Sequence, residues 1–259
     1  MLSNSKKIYS IAHYTAKEII KSKILFNVLL LGIALMLITY VAFSFTYGEP
    51  SRVALDFGLG MLSLSSVGIA LFIGVSLLSK EIENRTVYMI VSRPVPRYAF
   101  ILGKILGLAF ILILNIFLLS CLTMLCYFLT GGDYSSLILW SIIFTVLEAL
   151  IVLLVVSVLS LITSPTLSIL FSLMIYISGH AISETKLTSF AEHAPGLMEV
   201  LNFYHFVLPG FYKLNIKEFV LYKQDLSWSF ITSTSLYGIV YILFLTFLSI
   251  VIFEKKNLD

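Results

Sequence analysis

The chain has 259 residues, of which 59% are apolar and 12% are charged, and its net charge is +3. A soluble domain is about half apolar and about a quarter charged, so this composition leaves too little polar surface to cover a globule in water. The sequence therefore excludes a soluble enzyme and indicates an integral membrane protein. No nucleic-acid partner is expected, because Lys and Arg form no dense cluster along the chain.

The first predicted element is an amphipathic helix within residues 1–23. Its apolar residues recur with helical spacing on one stripe, which consists of Ile8, Ile11, Ala12, Thr15 and Ile19. The opposite face is polar and includes Lys17 and Lys21. This pattern predicts a helix that lies in the cytoplasmic interface, with its apolar side toward membrane lipid and its lysines near anionic headgroups.

Long uncharged runs predict six membrane-spanning helices, because one crossing needs about 20 residues. Four of the runs have the length of a single crossing, whereas the run 134–183 is long enough for two. Thr163-Ser164-Pro165-Thr166 divides that run, because proline disfavours helix at the residue before it. The predicted spans are about 24–46, 57–79, 105–129, 138–161, 166–183 and 229–253.

The distribution of Lys and Arg predicts the orientation of these spans. With both termini in the cytoplasm, the inner segments 1–23, 80–104 and 254–259 hold 12 of the 17 basic residues, in agreement with the positive-inside rule. The chain is therefore predicted to be one all-α, multi-pass membrane domain over residues 1–259, with both termini cytoplasmic.

Residues 184–226 form the long outer segment of this prediction. The segment is broken at Pro195-Gly196 and Pro209-Gly210, which are strong turn signals. After the second break, Asn215 and Glu218 have the spacing of an N-cap pair. We therefore expect short helices that lie on or dip into the outer leaflet.

The inner segment 80–104 is the most charged part of the chain. It also carries apolar residues such as Ile82 and Tyr88, which predict a helix that ends near Ser92, before Pro94. Two interpretations are open at this point. The segment is an ordinary connection whose arginines hold the topology, or it is a docking helix for a cytoplasmic partner, with charges for specificity and apolar residues for burial.

The residues of this segment resemble a known family. The run Glu81-Ile82-Glu83-Asn84-Arg85-Thr86, followed by Ser92-Arg93-Pro94-Val95, Arg97 and Gly103-Lys104, is similar to the loop between the second and third spans of type-2 ABC transporter permeases. The branch is the one that includes the permease of nitrous-oxide-reductase maturation and many small bacterial exporters. An amphipathic N-terminal helix containing Lys17-Glu18, six spans and an outer helical segment before the last span also match.

The resemblance implies a permease of the bacterial inner (plasma) membrane that forms a homodimer and binds two copies of a separate ATP-binding-cassette ATPase. The helix in the loop would be the coupling helix, which transmits nucleotide-driven motion to the spans. Its ATPase-coupling residues would be Glu81, Ile82, Glu83, Arg85, Thr86 and Tyr88.

The chain itself is not expected to hydrolyse ATP. Gly103-Lys104 has the last glycine and the lysine of a phosphate-binding loop, but Tyr98 stands where the first glycine is needed and Ile105 where Ser or Thr is needed. We therefore expect no cofactor in this chain, with ATP and Mg bound by the partner subunit. Gly103 and Gly107 instead form a GxxxG pattern, which favours close helix packing.

Glu148 is the only formal charge in the run 134–183. A carboxylate at this depth is costly and must face protein or water. Two interpretations are open: a functional group, or a hydrogen-bonded glutamate that ties helices together. No other ionisable residue is predicted within the membrane. His180 and Glu184 are assigned to the outer end of a span, as solvated or interfacial residues rather than metal ligands.

Three function classes follow from the sequence. The first is the permease half of an ATP-driven exporter, which rests on the resemblance. The second is a secondary transporter, which would need broken spans or ion ligands at the membrane midplane. The third is a non-transporting membrane subunit that relays ATPase-driven motion to an outer partner, which the length of the outer segment supports.

Overall fold

The computed structural model describes residues 4–21, 25–45, 49–75, 96–186 and 208–255, together with residues 196 and 199. Within these residues all secondary structure is helical, apart from turns and bends. The helices are α1 (Asn4–Lys21), α2 (Leu25–Phe45), α3 (Pro50–Val75), α4 (Arg97–Leu129), α5 (Ser136–Ile162), α6 (Pro165–Lys186), α7 (Lys217–Leu221) and α8 (Trp228–Lys255), with a 3-10 turn at Phe211–Lys213.

Five of these helices are long and apolar enough to cross a membrane. They are α3, α4, α5, the Pro165–Ile182 part of α6, and α8. The prediction of an all-helical, multi-pass membrane protein is therefore confirmed. The first predicted span, 24–46, coincides with α2, which is helical but is not one of the five. A sixth span thus stays a prediction.

The helices that contain two of the predicted spans begin before those spans do. Helix α3 begins at Pro50 rather than near residue 57, and α4 begins at Arg97 rather than near residue 105. Charged residues were taken as span boundaries, but both charges are accommodated inside helices. Asp56 pairs with Lys217 at the surface, and Lys104 is 8% exposed because α1 covers this part of α4. Residues 97–104 therefore belong to a long apolar helix and not to the loop.

The break between the fourth and fifth predicted spans is confirmed. Helix α5 ends at Ile162 and α6 begins at Pro165, the first helical position that proline favours. The Thr163 and Ser168 hydroxyls lie 2.9 Å apart across the turn. This hydrogen bond and the backbone bond from Ser168 N–H to the Ser164 carbonyl satisfy polar groups at the junction.

Helices α3, α4 and α5 form the centre of the bundle, with α1, α2, α6 and α8 packed around them. At one end, Asn4 of α1 donates to the Tyr98 hydroxyl of α4 at 2.8 Å. There, too, Arg97 donates to the Glu254 carbonyl of α8 at 3.1 Å. We call this the Arg97 end. The start of α1, the start of α4 and the end of α8 therefore meet at one end of the bundle.

The opposite end is marked by different contacts. Lys217 of α7 pairs with Asp56 of α3 at 2.6 Å, and the Trp140 and Trp228 rings, near the starts of α5 and α8, meet edge to face with centroids 5.9 Å apart. We call this the Lys217 end. Both termini of the described bundle thus lie at the Arg97 end, and the short outer helix predicted near Asn215 lies at the other. Asn215 accepts a hydrogen bond from Lys217 N–H at 3.2 Å.

Helix α1 runs alongside the first turns of α4. A Cβ atom at Gly103 would lie 2.7 Å from Ile11, and one at Gly107 would lie 2.7 Å from the Ala12 carbonyl oxygen. The GxxxG pattern is thus used for close packing, as predicted. The predicted apolar stripe is the buried face of α1, with Thr15 and Ile19 below 9% exposed. Its partner is α4, which corrects the expectation that the stripe faces lipid.

Replacing Gly107 with alanine is expected to destabilise the protein. The new methyl group would meet the Ala12 carbonyl oxygen, a backbone atom that cannot rotate away, and the Thr15 side chain. Overpacking of this kind costs about 1–3 kcal/mol. Gly68→Ala is the matched control, because a Cβ at Gly68 in α3 meets nothing within 4 Å. Thermal unfolding in mild detergent measures both variants. Equal melting temperatures for Gly107→Ala and Gly68→Ala would contradict the close packing of α1 on α4.

Candidate functional site

Glu148 lies in the interior of the bundle. It is on α5 and is 3% exposed. Ser141 and Thr145 precede it at helical spacing, so that one stripe of α5 is polar. Thr145 satisfies its own hydroxyl by donating to the Ser141 carbonyl at 2.9 Å. The expectation that Glu148 faces protein rather than lipid is confirmed.

His180 of α6 is the partner of this carboxylate. Its Nε2 lies 2.8 Å from Glu148 Oε1, and its side chain is 25% exposed, against 4% for that of Glu148. The contact joins residues 32 positions apart in the chain. His180 lies within the part of α6 that is long and apolar enough to cross a membrane. The expectation that Glu148 has no ionisable partner at its depth is therefore wrong.

Aromatic rings surround the imidazole. Tyr176 lies one turn before His180 on the same face of α6, and the two rings meet edge to face with centroids 4.7 Å apart. On the other side, Phe211 stacks on His180 with an interplanar angle of 20°. The Tyr176 side chain also lies close to Glu148 and to Ser63 of α3. Three helices and the 3-10 turn therefore hold the pair in one geometry.

A glycine allows the outer segment to approach the pair. A Cβ atom at Gly179 would lie 2.5 Å from the Pro209 carbonyl oxygen and 2.6 Å from the Phe211 ring. The segment is also tied to α8, because Gly210 N–H donates to the Tyr237 hydroxyl at 2.8 Å. Phe211 is 1% exposed as a result. The side chain that stacks on His180 is thus fixed by contacts with two helices.

A cavity of about 210 Å³ lies beside Glu148. Its polar lining comes from α3, α5 and the outer segment: Ser63, Ser141, Thr145, Glu148, Asn215 and Lys217. A space of this size holds several water molecules, and its walls supply the polar partners that buried water needs. The polar stripe of α5 therefore faces a cavity that can hold water rather than a close helix contact.

The cavity reaches the surface at the Lys217 end. Lys217 belongs to its lining, and the Lys217 and Asp56 side chains, which form an ion pair at 2.6 Å, are 32% and 49% exposed. The two charges of this ion pair balance each other. Among the residues that line the cavity, Glu148 is then the acidic group that remains. The same cavity is thus lined by the exposed Lys217 and by the buried Glu148 carboxylate.

The chemistry available to this site is acid–base exchange and hydrogen bonding. A carboxylate and an imidazole at 2.8 Å can share or exchange a proton, because an imidazole nitrogen serves as donor or acceptor according to its tautomer. The described residues contain no group of three or more His, Cys, Asp or Glu that could hold a metal ion.

The other residues singled out in the sequence lie apart from this site. Lys17, Glu18 and Lys21 are exposed on α1. The six residues assigned to ATPase coupling fall outside the described residues: Glu81, Ile82, Glu83, Arg85, Thr86 and Tyr88.

Sequence reasoning missed His180 as a site residue. Two signals were present: the spacing of Ser141, Thr145 and Glu148 on α5, and the spacing of Tyr176 and His180 four residues apart on α6. Each spacing indicates a polar face on a single helix. Neither indicates which faces of two helices meet.

Comparison of the sequence with protein families and with curated proteins finds no match.

Proposed function

We propose that this chain is the membrane-spanning permease subunit of an ATP-binding-cassette exporter, driven by a separate ATPase subunit. The resemblance of the segment between α3 and α4 to the coupling loop of type-2 permeases supports the proposal. The geometry of the bundle adds a second argument. It is based on the end of the bundle at which α3 ends and α4 begins.

Helix α3 ends and helix α4 begins toward the Arg97 end of the bundle. Gly74, next to the end of α3, packs on Leu153 and Val156 in the second half of α5, and α4 begins at Arg97 beside Glu254. This is also the end at which α1 begins. By the positive-inside rule it is the cytoplasmic end, where an ATPase would meet the segment. This shared location is the observation that carries the proposal.

In this proposal the chain is a multi-pass protein of the bacterial inner membrane with both termini cytoplasmic. It pairs with a second copy of itself as a homodimer, and each copy contacts one ATPase. ATP and Mg bind to the ATPase, so the permease needs no cofactor of its own. Membrane lipid surrounds the exposed apolar faces of the bundle, such as those with Leu64 and Phe72 on α3.

Affinity purification of the tagged chain in mild detergent tests the proposal. We expect a soluble protein with Walker motifs to co-purify and to hydrolyse ATP in the complex. An unrelated multi-pass protein with the same tag is the control for non-specific capture. If no ATPase co-purifies with the intact chain, the exporter proposal fails.

A second candidate function is ion-coupled secondary transport. The buried Glu148–His180 pair favours it, because intramembrane carboxylate and imidazole groups are common in proton relays. The same purification separates the two candidates, since a secondary transporter needs no ATPase.

A further inference from the structure

We propose that the groove between α1 and α4 binds one anionic phospholipid of the cytoplasmic leaflet, with an acyl chain in the groove and the phosphate beside Lys6 and Lys17. The proposal holds for either of the two functions above, because it concerns a lipid site on α1 and not the transported substrate. It rests on the orientation given by the positive-inside rule, which places the Arg97 end in the cytoplasm.

The groove is an open, mostly apolar space of about 490 Å³. This volume lies within the range of about 300–1,000 Å³ that is typical of small-molecule sites. Alanine and glycine are part of the lining, and their short side chains leave space between the larger ones. The apolar lining residues are Ile8, Ala12 and Ala16 of α1 and Leu106, Gly107 and Phe110 of α4.

The α4 side of the groove is open toward membrane lipid. Leu106 and Phe110 line this side and are 53% and 57% exposed. They lie on a helix that is long and apolar enough to cross a membrane, so their exposed surfaces meet hydrocarbon rather than water. An acyl chain can therefore enter the groove from the side, where it gains dispersion contacts with both helices.

The α1 side of the groove is polar. It is lined by Ser5, Tyr9 and His13, and the Tyr9 and His13 rings are stacked with centroids 6.3 Å apart. A hydroxyl group or a ring N–H can donate a hydrogen bond to a phosphate oxygen. Tyr9 is also 72% exposed, which is typical of an aromatic side chain at the level of lipid headgroups.

The charge of α1 favours an anionic ligand. The helix carries four lysines and one glutamate, so its net charge is +3. Lys6 and Lys17 stand outside the lining of the groove, but Lys6 lies one turn before Tyr9, and Lys17 lies one turn after His13. Both lysines are exposed, and their long side chains can extend to a phosphate at the rim of the groove.

The groove lies at the depth where headgroups meet hydrocarbon. Helix α4 has 33 residues and is about 50 Å long, whereas the hydrocarbon core is about 30 Å thick. We place its first turns, with the charged Arg97 and Lys104, on the cytoplasmic side of the core. Leu106 lies about 14 Å along the helix from Arg97, near the inner boundary. The cytoplasmic leaflet carries the anionic lipids that attract basic segments.

Native mass spectrometry of the full chain in detergent tests the selectivity. The probes are phosphatidylglycerol and phosphatidylcholine with the same acyl chains. We expect the wild-type chain to bind one phosphatidylglycerol with about tenfold higher affinity than phosphatidylcholine, because each lysine near an anionic headgroup adds to the attraction.

Charge-removing variants test the position of the phosphate. Lys6→Gln combined with Lys17→Gln should lose most of the preference for phosphatidylglycerol. Lys21→Gln combined with Lys255→Gln is the matched control, because it removes the same charge from the far face of α1 and from the end of α8. The control should keep the preference. A preference that survives in the Lys6, Lys17 variant would overturn the proposed site.

Photocrosslinking tests the location of the acyl chain. Phosphatidylglycerol with a diazirine in one acyl chain should label residues 8–16 of α1 and residues 106–110 of α4. Leu106→Trp fills the groove and should remove most of the labelling of α1. Leu118→Trp is the matched control on α4, since Leu118 is exposed outside the groove, and it should leave that labelling unchanged.

Two results with the wild-type chain would also overturn the proposal, and neither needs a variant to fold. One is equal affinity for phosphatidylglycerol and phosphatidylcholine. The other is labelling of the groove no stronger than that of α3 around Leu64 and Phe72, which are exposed apolar residues outside the groove. Equal labelling is the pattern of lipid that surrounds the bundle without a defined site.

Discussion

Reversing the charges of Glu81 and Glu83 to lysine is expected to release the ATPase from the membrane subunit while the membrane yield stays unchanged. In the proposed function these two residues face the ATPase and meet complementary charges. Reversal replaces attraction with like-charge contact, which costs several kcal/mol at an interface. A loss of this size reduces the bound fraction at least tenfold.

The double variant is expected to insert and fold normally. Both glutamates lie between Val75, where α3 ends, and Arg97, where α4 begins. Neither belongs to one of the helices that the structure describes. The measurements are the yield of the tagged chain in the membrane and the amount of ATPase that co-purifies with it.

The matched control reverses two glutamates on the predicted outer side, Glu192 and Glu199. This pair makes the same change in charge but should not release the ATPase, because the partner lies at the other face of the membrane. An ATPase that stays fully coupled to the Glu81→Lys, Glu83→Lys variant would show that these residues do not form the docking site.

Replacing Glu148 with leucine is expected to destabilise the bundle, whereas Glu148→Gln should fold and assemble almost as the wild-type chain does. Leucine leaves the His180 Nε2 and the Tyr176 hydroxyl without the carboxylate that each contacts. A buried polar group that loses its partner costs about 1–3 kcal/mol. Glutamine keeps an oxygen that accepts a hydrogen bond from the imidazole.

A double variant separates the loss of a hydrogen bond from the loss of packing. Glu148→Leu with His180→Leu removes both polar partners, and apolar replacement of both partners is often nearly neutral. Its melting temperature in detergent should lie above that of Glu148→Leu alone. If Glu148→Leu melts at the wild-type temperature, the contact with His180 does not stabilise the fold.

Hydropathy along the chain was sufficient to predict the class of protein and most of its helices. Apolar runs predicted the cores of α3, α4, α5, α6 and α8, because the cost of placing residues in a membrane is summed locally over about 20 residues. The turn before Pro165 was predicted for the same local reason, since proline restricts its immediate neighbour. The helical spacing of Ile11 and Thr15 likewise predicted the buried face of α1.

Only the tertiary structure decided what those faces contact. A stripe on α1 has the same spacing whether it meets lipid or α4, and its packing on Gly103 and Gly107 follows from how closely two helices approach. Asp56 and Lys104 were taken as span boundaries because the sequence does not show that groups on other helices pair with Asp56 and cover Lys104. The meeting of Glu148 with His180 depends on the rotation and height of α5 relative to α6. Neither the rotation nor the height can be read from the order of residues within one helix.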